Sequence, residues 1–252
     1  MTARADPGRR PRGTVALVAA LVVLLGGCGD VDSLPGMPGP ERTDFVPSDT
    51  DSTRQVSGNL SPDGFDTVQR MAVRIRNVGC ASLSTGSGFA IDATTLITNR
   101  HVVTDSDELQ VSTYDGRDVD VTAASTADLA DLAVVRTAEE LTTYPELAET
   151  DPERGESVTV VGYPRGGRLT VTEGRVIGST TDPLNENLGE VLVTDAPVEP
   201  GSSGSAVLDG EGRVVGVVYA KSAAGQSFIV PVTTLRTLLA DDEAFVPAAG
   251  CA

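Results

Sequence analysis

The sequence predicts an all-β fold that ends in one short helix. Met71, Val73 and Ile75 alternate with Ala72, Arg74 and Arg76, which is the period-two pattern of a half-buried strand. Short apolar or β-branched runs then recur at regular intervals, separated by Gly, Pro and Asp. Such spacing is typical of β-sandwiches and β-barrels.

The candidate strands form two groups of comparable size, separated by a polar stretch at 138–156. The strands of the first group are 71–76, 88–91, 94–98, 109–113, 119–122 and 132–136. Those of the second group are 157–163, 169–172, 174–178, 191–194, 205–208, 214–219 and 227–230. A helix is predicted over 232–240, because Leu235, Leu238 and Leu239 have helical spacing after Pro231. The folded domain is therefore expected to span 66–252, with halves at about 66–137 and 157–240.

The N-terminal 27 residues read as a lipoprotein signal peptide. Several arginines precede the apolar run 15–25, which is too short to span a bilayer. The run leads into Leu25-Gly26-Gly27-Cys28, which resembles a bacterial lipobox, so Cys28 is the predicted lipidation site. An ordinary secretory signal with an unrelated cysteine is the alternative. Residues 28–65 are rich in Pro, Gly, Ser, Thr and Asp, and we expect a disordered tether to a membrane anchor.

Composition excludes some functions before any motif is considered. The formal net charge of -17 and a pI near 4.3 argue against a nucleic-acid-binding surface. One histidine and three cysteines make a multi-ligand metal site improbable, and we expect no metal and no cofactor. Any chemistry that requires a histidine must use His101.

Three motifs supply the groups of a nucleophilic serine site. Ser203 lies between glycines in the segment 200–205, and a serine hydroxyl needs a base as well as backbone N–H groups aimed at an oxyanion. His101 follows an apolar strand and could be that base. Asp128 and Asp131 both precede another strand, and either could orient the histidine. Taken singly, a glycine-rich turn and a lone histidine are each more often structural.

In combination these motifs resemble the trypsin-like, HtrA-type branch of the chymotrypsin-like serine proteases. The blocks that carry the resemblance are Gly86-Ser87-Gly88-Phe89, Thr98-Asn99-Arg100-His101-Val102-Val103, Asp131-Leu132-Ala133-Val134-Val135 and Pro200-Gly201-Ser202-Ser203-Gly204, preceded by Thr194-Asp195-Ala196. They occur in the order His, Asp, Ser of that family. The resemblance implies two six-stranded antiparallel β-barrels with the active site in the cleft between them.

By the same resemblance, each reacting group has an expected role. His101 would be the general base, Asp131 would orient it, and Ser203 would attack the scissile carbonyl. The backbone N–H groups of Gly201 and Ser203 would form the oxyanion hole. Asp131 is preferred to Asp128 because the family places its carboxylate immediately before the strand.

Two positions depart from the family pattern. Ser205 stands where a second glycine is usual after the nucleophile, and Arg100 stands where alanine is common before the histidine. Neither change removes a reacting group. Ser205 adds a Cβ near the nucleophile turn, and its effect on activity is open.

The remaining cysteines fit an exported protein, in which two thiols usually pair. A disulfide between Cys80 and Cys251 is expected, and it would attach the C-terminal tail to the first barrel. Two free thiols are the alternative.

The region that forms the specificity pocket in this family falls at about 195–200 and 218–222 in this sequence. Pro197 lies near the position that is acidic in trypsin-like pockets, so a preference for Arg or Lys is not supported. We expect a small or medium apolar side chain to be preferred.

Three classes of function are compatible with the chain. The favoured one is a membrane-anchored extracytoplasmic serine endopeptidase acting on proteins or peptides. A pseudo-protease that binds peptides or partners without cutting is the second, and a structural envelope lipoprotein is the third. Retention of all three reacting groups favours the enzyme.

Overall fold

The structure, a computed structural model, describes residues 66–127, 129–184 and 189–251, which fold into two antiparallel β-sheets. The predicted signal peptide, Cys28 and the tether lie outside the described residues, as does Asp128. The all-β class and the short C-terminal helix are confirmed.

The first half contains the strands β1 Ala72–Gly79, β2 Leu83–Ala90, β3 Thr95–Thr98, β4 Ser106–Thr113, β5 Asp118–Val119, β6 Val121–Ala127 and β7 Ala133–Thr137. The second half contains β8 Ser157–Gly162, β9 Thr170–Thr181, β10 Glu190–Thr194, β11 Ala206–Leu208, β12 Val214–Lys221 and β13 Ser227–Pro231. The remaining elements are the helices α1 Thr67–Arg70, α2 Arg100–Val103 and α3 Val232–Leu239, a 3₁₀ turn Pro164–Gly166 and the strand β14 Phe245–Pro247.

The first half is an eight-stranded sheet in the order β14-β6-β7-β3-β2-β1-β4-β5, where six strands were expected. Two differences account for the change. The predicted strand 119–122 is two strands, β5 and β6, and β14 of the C-terminal tail pairs with β6 through Phe245 and Ala127. A three-residue strand carries too little alternation to be recognised in the sequence.

The second half is a closed six-stranded barrel in the order β10-β13-β12-β11-β8-β9, as expected. The predicted strands 169–172 and 174–178 are parts of one continuous strand, β9. Gly174, in the middle of β9, serves packing: a Cβ there would lie 2.4 Å from the backbone nitrogen of Ala196. The absence of a side chain therefore lets β9 approach the segment that leads to Ser203.

Buried side chains from both halves form one shared cluster. It includes Phe89 and Ile97 of the first half, and Val161, Ala206 and Val217 of the second, all fully buried. Each half also has its own interior cluster. Because the shared core packs the halves together, loops at their junction are held in a fixed relation.

The helix α3 packs on the barrel through Val232 and Leu235, which are both fully buried. Within the described ranges, no helix is long and apolar enough to cross a membrane.

Candidate active site

His101 and Asp131 form a directly hydrogen-bonded pair. The helix α2 carries His101 just after β3, and Asp131 lies just before β7, the neighbour of β3 in the sheet. His101 Nδ1 is 2.6 Å from Asp131 Oδ2, and the backbone N–H of His101 donates to Asp131 Oδ1 at 3.0 Å. The Asp131 side chain is 6% exposed and that of His101 is 50% exposed. The carboxylate therefore fixes a proton on Nδ1 and leaves Nε2 free to accept one.

Buried polar contacts hold the short helix α2 in place. Asn99, immediately before it, donates through Nδ2 to the backbone oxygen of Asp131 at 2.7 Å. Asn77 Nδ2 donates to the backbone oxygens of Val102 and Thr104 at 3.0 and 2.9 Å. Such a short helix has little stability of its own, so these contacts and its packing determine where His101 lies.

The nucleophile loop, residues 199–205, is a series of tight turns between β10 and β11. The N–H groups of Ser202 and Ser205 donate to Glu199 O and Ser202 O, and the N–H of Gly204 donates to Val218 O. Among the described residues, the N–H groups of Gly201 and Ser203 have no such partner. Two free donors, one on either side of Ser202, are therefore available to an oxyanion.

Hydrogen bonds connect the nucleophile loop to the strands that carry the histidine. Thr98, three residues before His101, donates through Oγ1 to Ser87 O at 2.7 Å. The N–H of Ser87 in turn donates to Ser203 O at 2.8 Å. No hydrogen bond joins Ser203 Oγ to the His101 ring within the described ranges, so the complete triad stays a prediction. Such bonds are often long in ligand-free enzymes and tighten with substrate.

A cavity of about 390 Å³ adjoins Ser203. Its lining includes Val198, Glu199, Val218, Ala220 and Lys221. This is the region where the sequence predicted the specificity pocket. A second groove, of about 630 Å³, adjoins His101 and includes Cys80 and Asp105 in its lining.

Arg165 neutralises the carboxylate at the cavity. Its Nε and Nη2 donate to Glu199 Oε2 at 3.0 and 2.6 Å. The pKa of Glu199 is held below its usual value by these hydrogen bonds and by the positive charge of Arg165. Lys221 makes a smaller contribution in the same direction. Lys221, the only lysine in the sequence, adds a positive charge to the lining of the cavity.

Ser205, one of the two departures from the family pattern, directs its side chain towards Gly162 of β8. It is fully buried, and a Cβ on Gly162 would lie 1.8 Å from Ser205 Oγ. The serine side chain therefore occupies the space left by a glycine on β8. Its hydroxyl has no hydrogen-bond partner among the described residues.

Replacement of Ser205 by alanine is expected to raise the free energy of unfolding by about 1 kcal/mol, because it removes an unsatisfied buried hydroxyl. Hydrolytic activity should stay unchanged. Denaturant unfolding and initial-rate assays of S205A test both points. A loss of stability of about 1 kcal/mol or more would contradict this account, since it would mean that the hydroxyl has a partner.

The structure joins Cys80 and Cys251 by a disulfide, with a Cα–Cα distance of 5.4 Å. The tail is attached to the first half by backbone contacts as well. Asp105 N–H donates to Ala249 O at 3.1 Å, and Ala248 N–H donates to Ala124 O at 2.9 Å.

Loss of this disulfide is expected to lower stability while leaving the fold intact. The bond closes a separation of 171 residues, for which chain entropy gives an upper figure of about 5 kcal/mol. Denaturant unfolding of the C80S/C251S variant should show a decrease of about 3 kcal/mol. Intact mass should rise by two hydrogen atoms when the wild type is reduced. An unchanged mass would show that the thiols are free.

Three positioning groups were not recognised from the sequence. Ser87 and Asn99 lie within the motif blocks, but their contacts depend on chain segments far away in sequence. Asn77 gave no signal, because an asparagine in a strand pattern is not distinctive. Its role in positioning α2 is identified only by the structure, in which Asn77 is buried and its side-chain amide donates to two backbone carbonyls around that helix.

This fold and site place the chain in a known family: residues 86–217 match the trypsin-like peptidase domain, and the chain belongs to that family. Among its relatives is a probable periplasmic serine endoprotease DegP-like of Hahella chejuensis, 34% identical over 156 residues. The match covers 59% of this chain and 33% of that protein. The serine protease Do-like HtrA of Bacillus subtilis is 33% identical over 156 residues, and the match covers 57% of this chain and 35% of that protein. This chain thus spans about a third of the length of these relatives.

Among solved structures, the Rv3671c protease from M. tuberculosis in its active form superimposes with a TM-score of 0.64 at 27% identity. The match covers 73% of this chain and 86% of that one. This likeness agrees with the chymotrypsin-like fold class that the family resemblance implied for this chain.

Proposed function

We propose that the protein is an extracytoplasmic serine endopeptidase that hydrolyses peptide bonds through His101, Asp131 and Ser203. The observation that carries the proposal is the buried Asp131 carboxylate bonded to His101 Nδ1, in a trypsin-like peptidase fold. The serine protease relatives support the same reaction class.

The proposed reaction begins when Ser203 Oγ attacks the scissile carbonyl carbon and His101 Nε2 takes the hydroxyl proton. Asp131 holds the other ring nitrogen and stabilises the imidazolium that forms. The N–H groups of Gly201 and Ser203 donate to the oxyanion of the tetrahedral intermediate. His101 then protonates the leaving amine, and water hydrolyses the resulting acyl-enzyme by the same sequence.

The test is labelling with a fluorophosphonate, in which Ser203 Oγ displaces fluoride from phosphorus. The wild type should be labelled and S203A should not, because the nucleophile is lost while the backbone is unchanged. Ser125 is a half-buried serine on β6, where it pairs with Val134 of β7 and Pro247 of β14. It supplies the control S125A, which should label normally. A folded wild type that is not labelled would contradict the enzyme and favour the peptide-binding pseudo-protease.

The relatives and the N-terminal sequence support a proposal for the location of the protein. A periplasmic relative supports an extracytoplasmic site of action, as does the disulfide. We propose further that a lipid on Cys28 anchors the chain to the membrane. Replacement C28S should move the protein from the membrane fraction to the soluble fraction. If C28S stays in the membrane fraction, the anchor is elsewhere.

Cleavage is expected after small or medium apolar residues and to be poor after Arg or Lys. Val198, Val218 and Ala220 supply apolar walls to the cavity beside Ser203, and Lys221 would repel a cationic side chain there. Peptides that differ only in the residue before the scissile bond test this. We expect kcat/KM to be at least about tenfold higher with Ala, Val or Leu than with Arg or Lys. In K221M this ratio should decrease, whereas selective cleavage after Arg or Lys by the wild type would contradict the assignment.

A further inference from the structure

Ser87 on β2 is a buried serine that the proposed reaction does not use. Its side-chain hydroxyl donates to Gly201 O at 2.8 Å. The same oxygen accepts the backbone N–H of Tyr163, also at 2.8 Å. A single hydroxyl of the first half thus bridges two loops of the second half, and one of these loops carries the nucleophile.

The backbone of Ser87 makes the arrangement more rigid. Its N–H donates to Ser203 O at 2.8 Å, and its own carbonyl accepts Thr98 Oγ1 at 2.7 Å. Ser87 therefore holds the carbonyl oxygens of both Gly201 and Ser203. Within the nucleophile loop, these two residues are the ones whose N–H groups have no hydrogen-bond partner among the described residues.

The peptide before Gly201 is held from the other side. Arg165 N–H donates to Pro200 O at 2.6 Å. In a trans peptide the C=O and N–H point in opposite directions, so this bond turns the Gly201 N–H away from Arg165. Gly201 has φ +92°, and a Cβ there would lie 2.6 Å from the Arg165 nitrogen. Both peptide planes that meet at Gly201 are therefore fixed by hydrogen bonds, one of them from Ser87.

We propose that Ser87 is a positioning residue that holds the oxyanion-hole N–H groups in place before substrate arrives. The inference rests on the proposed endopeptidase function. Without the hydroxyl, Gly201 O loses its donor, and only the bond from Ser202 N–H to Glu199 O remains to hold the Gly201–Ser202 peptide. A shift of this peptide changes the backbone torsions at Gly201 and with them the direction of the Gly201 N–H relative to Ser203. That direction matters for the charged tetrahedral intermediate much more than for the bound peptide.

The experiment compares wild type, S87A and the control S125A on one peptide substrate and one peptide aldehyde, which forms a tetrahedral adduct with the nucleophile. For S87A we expect kcat to decrease about tenfold, less than the loss of an oxyanion donor itself costs. KM should stay within about twofold, and the aldehyde should bind about tenfold more weakly. A side chain needed only for folding would lower the amount of active enzyme and leave the aldehyde affinity of the folded fraction unchanged.

A second variant covers the case in which S87A does not fold. T98V replaces a hydroxyl by a methyl group of similar size and removes only the bond that holds the Ser87 carbonyl. It should lower kcat severalfold at unchanged KM. If both folded variants keep the kcat of an active wild type, the inference is wrong and the endopeptidase stands. If the folded wild type neither cleaves nor is labelled at Ser203, the proposed function fails and the inference fails with it.

Discussion

The variant D131N is expected to fold normally and to lose about 10³- to 10⁴-fold in kcat. In the structure both carboxylate oxygens accept from His101, one from the backbone N–H and one from Nδ1. An asparagine offers one acceptor and one NH₂ group. If the amide oxygen keeps the backbone N–H, the NH₂ faces Nδ1 and requires the tautomer whose proton lies on Nε2. That tautomer cannot accept the Ser203 proton.

The matched control is D128N, since Asp128 was the other candidate in the sequence. We expect D128N to keep the activity of the wild type within about twofold, because the proposed mechanism gives the orienting role to Asp131. Steady-state kinetics on one peptide substrate, with circular dichroism and thermal unfolding to verify folding, give the result. If D128N lost activity and D131N kept it, the assignment of the orienting carboxylate would be reversed.

The variant G204A is expected to destabilise the protein by about 3 kcal/mol or more, or to prevent folding. Gly204 has φ +84°, a conformation that is strained for any residue with a side chain. A Cβ there would lie 2.0 Å from Ser87 O and 2.4 Å from Thr98 Oγ1. These two atoms are joined to each other by a buried hydrogen bond within the first half, so neither can move without breaking that contact.

Gly210 offers the control for this substitution. It lies in the turn after β11, and a Cβ there would have no heavy atom within 4 Å. G210A should change the free energy of unfolding by less than about 0.5 kcal/mol. Chemical denaturation of both variants beside the wild type measures the difference. If G204A and the wild type had equal stability, the nucleophile loop would be able to relax around a side chain. The conclusion that this loop is rigid would then be wrong.

The candidate reacting groups could be chosen from the sequence because each has a local signature. His101 is the only histidine, Ser203 lies among glycines, and Asp131 directly precedes an apolar strand. The order of these motifs supplied the family. The groups that position them were not predictable in the same way. The contact from Ser87 to Gly201 joins residues 114 positions apart, and no local pattern encodes such a pairing.

Ser205 also shows the difference between what the local sequence predicts and what the folded structure decides. The sequence identified it as an extra side chain beside the nucleophile, which suggested a change in the active site. The structure directs that side chain towards Gly162, where it fills a space in the barrel. The direction of a side chain in an irregular loop depends on the backbone conformation and on its neighbours, neither of which the sequence states.

The sequence by itself determined the all-β class, the positions of most strands, the C-terminal helix and the identity of the candidate reacting residues. Hydrophobic alternation and motif order are local properties of the chain, so they can be read without coordinates. Tertiary structure decided that β14 extends the first sheet, that β9 is continuous through Gly174, and that a buried serine of one half holds the nucleophile loop of the other. Each of these depends on close contact between segments distant in sequence, which packing and hydrogen bonding establish only in the folded protein.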